Sequence, residues 1–290
     1  MRLRTLPLSE AGVVLGLFIA ASKGPINWLA AFFLLTTTAL LQIISNLSNE
    51  LGDTLSGTDT GERQGVHYSI QDGEMTITEM KMLIAATVGA CCMSGLIMVF
   101  FSFGTVFALE PLLLLALGAA AIWAAMHYTL GKNPYGYRGL GDIFVFIFFG
   151  LVAVCGGYYV LSHDLTDFRV LIPAAAMGCF SIAVLNVNNI RDMKTDAATR
   201  TTIALKMGAK GSRIYQTALI AAGWILLSGY AAIVGKSLVN WIFLVTLPLF
   251  FLHLRGVWTK EDRALDPMLP LLVVSTFATA LLFGVGLVLA

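Results

Sequence analysis

Charge is scarce in this chain. Asp, Glu, Lys and Arg together make up 12% of its 290 residues, against ~25% in soluble domains. That excludes an ordinary water-soluble domain, and nucleic acid is not expected as a partner. Cysteine is sparse as well. Cys91, Cys92, Cys155 and Cys179 lie inside apolar runs and form no CxxC, so they read as small buried hydrophobes rather than a disulfide framework or a thiolate metal site. His67, His127, His163 and His253 are scattered without ligand spacing. There is no GxGxxG after a strand, no Walker A sequence and no HExxH, which removes the usual nucleotide-binding and zinc-hydrolase readings. Low-complexity segments and Pro-rich linkers are missing too. The first apolar run follows Arg2 and Arg4 directly and reads as a retained helix rather than a cleaved leader.

What is abundant is hydrocarbon. Hydrophobic residues make up 58% of the chain, with a mean hydropathy of +0.83. Apolar segments long enough to span a bilayer recur along the whole length. Nine are expected, near 8–22, 27–47, 79–102, 108–130, 141–162, 169–188, 213–234, 237–254 and 267–289. The fold class is therefore an all-α membrane protein, read as a single domain over 1–290. Pro25, Pro111, Pro173 and Pro267 stand near helix starts, where a missing N–H costs little. Pro248 falls inside a span and is expected to kink it. Gly89, Gly95, Gly118 and Gly223 read as sites of close helix packing.

Basic residues fix the expected orientation. With a cytoplasmic N-terminus, only Lys23, Arg169 and Lys236 of the 18 Lys and Arg residues fall on the outer side. The positive-inside rule favours that arrangement, with the C-terminus outside. Long polar loops at about 48–78 and 189–212 then face the cytoplasm, as does the loop Gly131–Asp142.

Two stretches at such loops share a pattern. Asn46, Asn49 and Asp53 are spaced i, i+3, i+7, and so are Asn189, Asp192 and Asp196. On a helix this spacing puts three side chains on one face. A charge at a membrane-helix centre costs about 2.5–3.5 kcal/mol, so acids clustered near a membrane need a reason. Carboxylate and amide oxygens suit a hard divalent cation, and Mg²⁺ in particular is held by a few carboxylates plus water and substrate phosphates. Asn49, Asp53, Asp192 and Asp196 supply that set. Asp59 is out of helical phase, but a helix ended by Gly57 would let it fold back as a further ligand. Glu50 lies off the shared face.

Bases accompany the acids: Arg63 after the first stretch, Arg200, Lys206 and Lys210 after the second, Lys132 and Arg138 between them. Metal plus basic side chains is what a diphosphate requires. Arg63 and Arg138 could equally serve only the orientation rule; Lys194, Lys210, Lys260 and Arg263 are read that way. Glu10, within the first span, could face either the pocket or the headgroups. A cation-coupled transporter is the rival of a different class, but its acids would be expected near the midplane.

The segments Leu41–Asp53 with Gly57-Thr58-Asp59, Asn133–Asp142, and Leu185–Asp192 with Asp196 and Arg200-Thr201 resemble the UbiA superfamily of intramembrane prenyltransferases over nearly the whole chain. The Tyr135-Gly136-Tyr137 loop and Asn188-Asn189-Ile190-Arg191-Asp192 are similar to its naphthoate branch. Glu50 departs from the Asp common at that position. The resemblance implies nine helices around a central cavity open to the cytoplasmic side of the cell membrane. It implies Mg²⁺-dependent transfer of a polyprenyl group from polyprenyl diphosphate to 1,4-dihydroxy-2-naphthoate, with loss of CO₂ and diphosphate; 4-hydroxybenzoate is the alternative acceptor. By position, Asn49, Asp53, Asp192 and Asp196, with Asp59, would hold the metal. Arg63, Arg138 and Lys206, with Asn189 and Tyr137, would hold the diphosphate. Asp142 is a candidate base. Phe144, Phe146, Phe148 and Phe149 could line a prenyl path, though ordinary aromatic packing is the simpler reading.

Overall fold

The computed structural model describes residues 3–56, 69–70, 72–197, 199–235 and 237–290. Among these, eight helices are long and apolar enough to cross a membrane, and a shorter apolar helix precedes them. In chain order they are α1 (Leu6–Ala21), α2 (Trp28–Leu55), α3 (Ile77–Phe103), α4 (Leu109–His127), α5 (Gly141–Ser162), α6 (Phe168–Arg191), α7 (Ile203–Val234), α8 (Leu238–Thr259) and α9 (Asp262–Leu289). The expected all-helical membrane bundle is what forms.

Local chemistry sets several helix ends. Asn27 caps α2 by accepting from the Leu29 and Ala30 backbone N–H groups. Thr76 and Glu79 form a reciprocal capping box at the start of α3, satisfying donors that a helix start leaves unpaired. Gly104 closes α3 with φ of 70°, a conformation that favours glycine. Pro267 caps α9. Pro248 does not interrupt a regular helix. The 3₁₀ segment Leu238–Thr246 hands over to an α-helix at Leu247, and Pro248 occupies its first turn, where its missing N–H is harmless.

Two boundaries differ from the sequence expectation. α2 continues through Leu55, so the first acidic face is fully helical. The polar stretch 189–212 is shorter as a loop, because α7 begins at Ile203 and tolerates a break at Gly208, φ 70° and ψ 174°. The second acidic face is not one continuous helix. Backbone regularity stops at Asp192 (φ −93°, ψ 8°), and a single turn, Met193–Asp196, follows.

α1 is the hub. It packs on α2, α5 and α9, while α6 packs on α5 and α7 and is the most enclosed span. Gly16 lets α1 approach the α5 backbone, since a Cβ there would strike the Val154 carbonyl. Gly223 is a close-packing site as expected, with the Phe180 ring against its Cα. Gly89 and Gly118 are not: a Cβ at either would meet nothing within 4 Å. At Gly95 the added atom would only touch Thr37, at 3.9 Å.

Behind the α6 end runs a buried polar chain. Asn186 Nδ2 donates to Gln216 Oε1 (2.8 Å) and to the Ser212 carbonyl (3.0 Å). Gln216 Nε2 lies 2.9 Å from His253 Nε2, and His253 Nδ1 lies 2.9 Å from the Met268 carbonyl. A carbonyl only accepts, so Nδ1 carries the imidazole proton and Nε2 accepts from Gln216. This chain ties α6, α7, α8 and α9 together.

Candidate active site

The Tyr-Gly-Tyr loop folds back over the end of α4. Gly136 N–H donates to the Tyr128 carbonyl at 3.0 Å. A Cβ on Gly136 would lie 2.5 Å from that carbonyl oxygen, so the approach requires glycine. The loop then pairs with the stretch after the second motif, where Thr201 N–H donates to the Tyr137 carbonyl at 2.9 Å. Three polar segments far apart in sequence thus meet at one end of the bundle.

Their side chains converge on Arg200. Its Nη2 lies 3.2 Å from Asp53 Oδ1 and its Nε 3.2 Å from Asp196 Oδ1. Its guanidinium also sits 4.8 Å above the Tyr137 ring centre. Tyr137 donates its phenol O–H to Asp53 Oδ1 at 2.7 Å. Asp53 and Asp196 are both buried. Asn49 is held by Thr129, whose hydroxyl lies 3.2 Å from Asn49 Oδ1 and 2.9 Å from the Ser48 carbonyl.

Asp192 faces a different cation. Arg191 grips it at 2.7 and 2.5 Å and also reaches Asp266 and Asn188, each at 2.9 Å. The expected four-residue set is therefore split. Asp53 and Asp196 meet at Arg200 and Asn49 is held by Thr129, whereas Asp192 is engaged by its neighbour Arg191, at the residue where the helix breaks.

A cavity of about 350 Å³ opens beside this cluster. Its polar end is lined by Asn46, Asn49, Asp53, Thr129, Asn189 and Arg200. Next come the rings of Tyr128, Tyr135, Phe144, Phe148 and Phe149, and then an apolar stretch including Leu34, Met98, Leu114, Leu117 and Val160. Tyr135 and Phe144 stack with centroids 3.9 Å apart. α5 widens into a π-helical turn over Phe146–Val152, which turns Phe148, Phe149 and Val152 onto the cavity wall. Phe146 instead packs on Gly178.

Other sequence candidates fall elsewhere. Asp59 and Arg63 lie outside the described residues, as does Gly57. Arg138 and Lys206 are exposed at the rim, with the Lys206 ammonium beside Gly139. Asp142 accepts from the Tyr215 hydroxyl at 2.9 Å and is not part of the cavity wall. Glu50 accepts the Ile70 N–H at 3.3 Å, off the cavity. Sequence reading named Arg200 only as one of several bases and passed over Tyr128 and Thr129. The i, i+4 spacing of Asp196 and Arg200 was a usable signal; nothing local marks Thr129.

Among the described residues no three acidic, histidine or cysteine side chains form a ready-made metal cage. The donor chemistry still fits Mg²⁺. Two buried carboxylates from different helices already share one cation, the Arg200 guanidinium, and Mg²⁺ sites are commonly one or two carboxylates completed by substrate phosphate and water.

Comparison with known proteins agrees with this architecture. The UbiA prenyltransferase family model matches residues 11–274. The 1,4-dihydroxy-2-naphthoate octaprenyltransferase of Escherichia coli (strain K12) is 37% identical over 292 residues, covering 100% of this chain and 94% of that protein. The protein of the same name from Mycobacterium tuberculosis is 37% identical over 77% of this chain and 73% of its own length. An apo UbiA homologue from Aeropyrum pernix K1 shares the fold, with a TM-score of 0.72 at 16% identity, over 100% of this chain and 98% of that one. A homologue from Archaeoglobus fulgidus, solved with GPP and Mg²⁺, has a TM-score of 0.66 at 16% identity over 99% of both chains. Matched along most of its length by the family model and by relatives above 35% identity, the chain belongs to the UbiA prenyltransferase family.

Proposed function

We propose that this membrane protein transfers a polyprenyl group from a polyprenyl diphosphate to 1,4-dihydroxy-2-naphthoate, releasing CO₂ and diphosphate. One observation carries the reading: both acidic motifs and the Tyr-Gly-Tyr loop meet through Arg200 at the polar end of an otherwise apolar cavity. The names of the relatives above 35% identity support the acceptor.

The chemistry follows from the layout. The diphosphate lies at the polar end and the prenyl tail along the apolar wall. Bound Mg²⁺ would supply charge neutralisation of the diphosphate, held by Asp53 and Asp196 with Asn49. Arg200 neutralises further charge as the allylic C–O bond breaks and its electrons leave with the diphosphate. Tyr137 keeps Asp53 oriented. The allylic carbon, now electron-poor, is attacked by the ring carbon that carries the carboxylate, forming the new C–C bond. The C–CO₂ bond then breaks and returns its electrons to the ring. No ring proton is removed at that carbon, so a general base such as Asp142 is not needed there. The surrounding aromatic and aliphatic side chains exclude water from the cation. Asp192, Asp59, Arg63, Arg138, Lys206 and Asn189 belong to the same proposal as further metal or diphosphate contacts. Placement of the basic residues supports a polar end facing the cytoplasm.

The test uses purified protein in detergent, a labelled polyprenyl diphosphate and 1,4-dihydroxy-2-naphthoate, with and without Mg²⁺. The expected result is a decarboxylated, prenylated product that needs Mg²⁺ and is lost in Asp53→Asn. Product only from 4-hydroxybenzoate would overturn the acceptor. Turnover of neither by folded protein would overturn the enzyme.

A further inference from the structure

α4 carries a glycine with no packing task. Gly118 sits in mid-helix, where glycine costs about 1 kcal/mol relative to alanine. In membrane bundles such a residue ordinarily lets two helices approach, as Gly223 does beside Phe180. At Gly118 a Cβ would meet nothing within 4 Å, yet the residue lines the cavity. The space above it is cavity space.

Its neighbours show where that space leads. Leu114, Ala121 and Ala125 share its helical face and also line the cavity. Leu117 lines it as well and is 36% exposed, so at this turn α4 forms both the cavity wall and the outer face of the bundle. α4 packs on α2 and α3 and exposes Leu112, Leu113 and Trp123, which puts it at the bundle edge. Gly118 lies ten residues before Tyr128, about 15 Å along the helix at ~1.5 Å per residue. A geranyl tail with its reacting carbon at the polar end stops short of that point. A longer tail running along this face reaches it, in a cavity whose volume of about 350 Å³ is near the small end of ligand pockets, ~300–1,000 Å³.

We propose that Gly118 determines donor specificity: its missing side chain keeps the apolar end of the cavity wide enough for a long prenyl tail, and bulk there converts the protein to short donors. This rests on the prenyl-transfer reading above. Gly156 lines the same cavity with equally open space, but from α5 rather than from the α4 face that carries Leu114, Ala121 and Ala125.

The test compares geranyl diphosphate with octaprenyl diphosphate, each with 1,4-dihydroxy-2-naphthoate, for the native protein, Gly118→Ala, Gly118→Leu, Gly156→Leu and Gly89→Leu. Gly89 is an exposed mid-span glycine with open space off the cavity and serves as the control. Gly118→Leu is expected to lose kcat/KM for the long donor on the order of tenfold or more, as crowding by added methylenes does in apolar pockets, and to keep the short donor. Gly118→Ala should show a smaller loss of the same kind. Equal treatment of both donors by the Gly118 variants overturns the proposal, as does long-donor loss in Gly156→Leu alone. If Gly118→Leu is inactive with both, Gly118→Ala decides: selective loss of the long donor supports the proposal and equal loss overturns it. A native protein inactive with both donors fails the underlying reading itself, and the proposal with it.

Discussion

The Arg200 guanidinium lies 3.2 Å from the Asp53 carboxylate although 147 residues separate the two in the chain. Asp196 takes the same guanidinium at 3.2 Å. One cation thus holds together the two acidic motifs, at the place where a divalent ion and a diphosphate would add their own charges.

Replacing Arg200 separates its two roles. Arg200→Gln removes the charge and should lower kcat by roughly 10²–10³, the usual cost of one transition-state charge contact. Arg200→Lys keeps the charge but not the planar fork that reaches both acids, and should fall between Gln and the native protein. Arg200→Gln removes a cation that the two carboxylates share. Added Mg²⁺ should therefore raise its melting temperature more than it raises that of the native protein. Equal shifts would contradict a shared cation position.

Tyr137→Phe deletes a single O–H donor to Asp53. A hydrogen bond to a charged group is worth about 1.5–3 kcal/mol. Steady-state kinetics should show kcat/KM down by at least roughly tenfold. Melting temperature should fall by a few degrees as well, because the same hydrogen bond supports a buried carboxylate.

His253 and Gln216 test the support behind α6. Both are fully buried, and each satisfies the other. His253→Leu removes the acceptor of the buried Gln216 Nε2 donor, so it should cost about 1–3 kcal/mol in denaturant unfolding. Adding Gln216→Leu should cost less than the sum of the single changes, because the partners leave together.

The opposite end of the bundle gives a pH prediction. Arg169 chelates Asp167, and Lys23 lies 2.7 Å from it. Arg169 first, then Lys23, hold the Asp167 carboxyl well below the usual carboxylate range. A depressed folded pKa contributes stability above the unfolded value, ~4, and loses it as pH falls through the folded one. Asp167→Asn should therefore be less stable than the native protein near neutrality, and the gap should close on acidification. Salt should shrink the gap as well, because both cations, Lys23 and Arg169, are exposed.

Much of this protein was legible without coordinates. Apolar runs spaced by short polar segments admit little besides a helical membrane bundle, since backbone groups in lipid must bond within their own helix. The repeated Asn/Asp spacing marked Asn49, Asp53 and Asp196 because a helix places those positions on one face. Local pattern stopped being enough where the chain departs from a helix. Asp192 has the right spacing, but the helix breaks at that residue and gives its carboxylate to Arg191. Gly118 and Gly223 look alike in sequence; only the neighbours brought by other spans make one a packing site and the other a cavity wall. Arg200 was visible as one base among several, and its place between Asp53 and Asp196 depends on how α2, the Tyr-Gly-Tyr loop and the α6–α7 connection assemble. Periodicity reports what a segment does alone. Which charges meet, and where space is left empty, are properties of the assembled bundle.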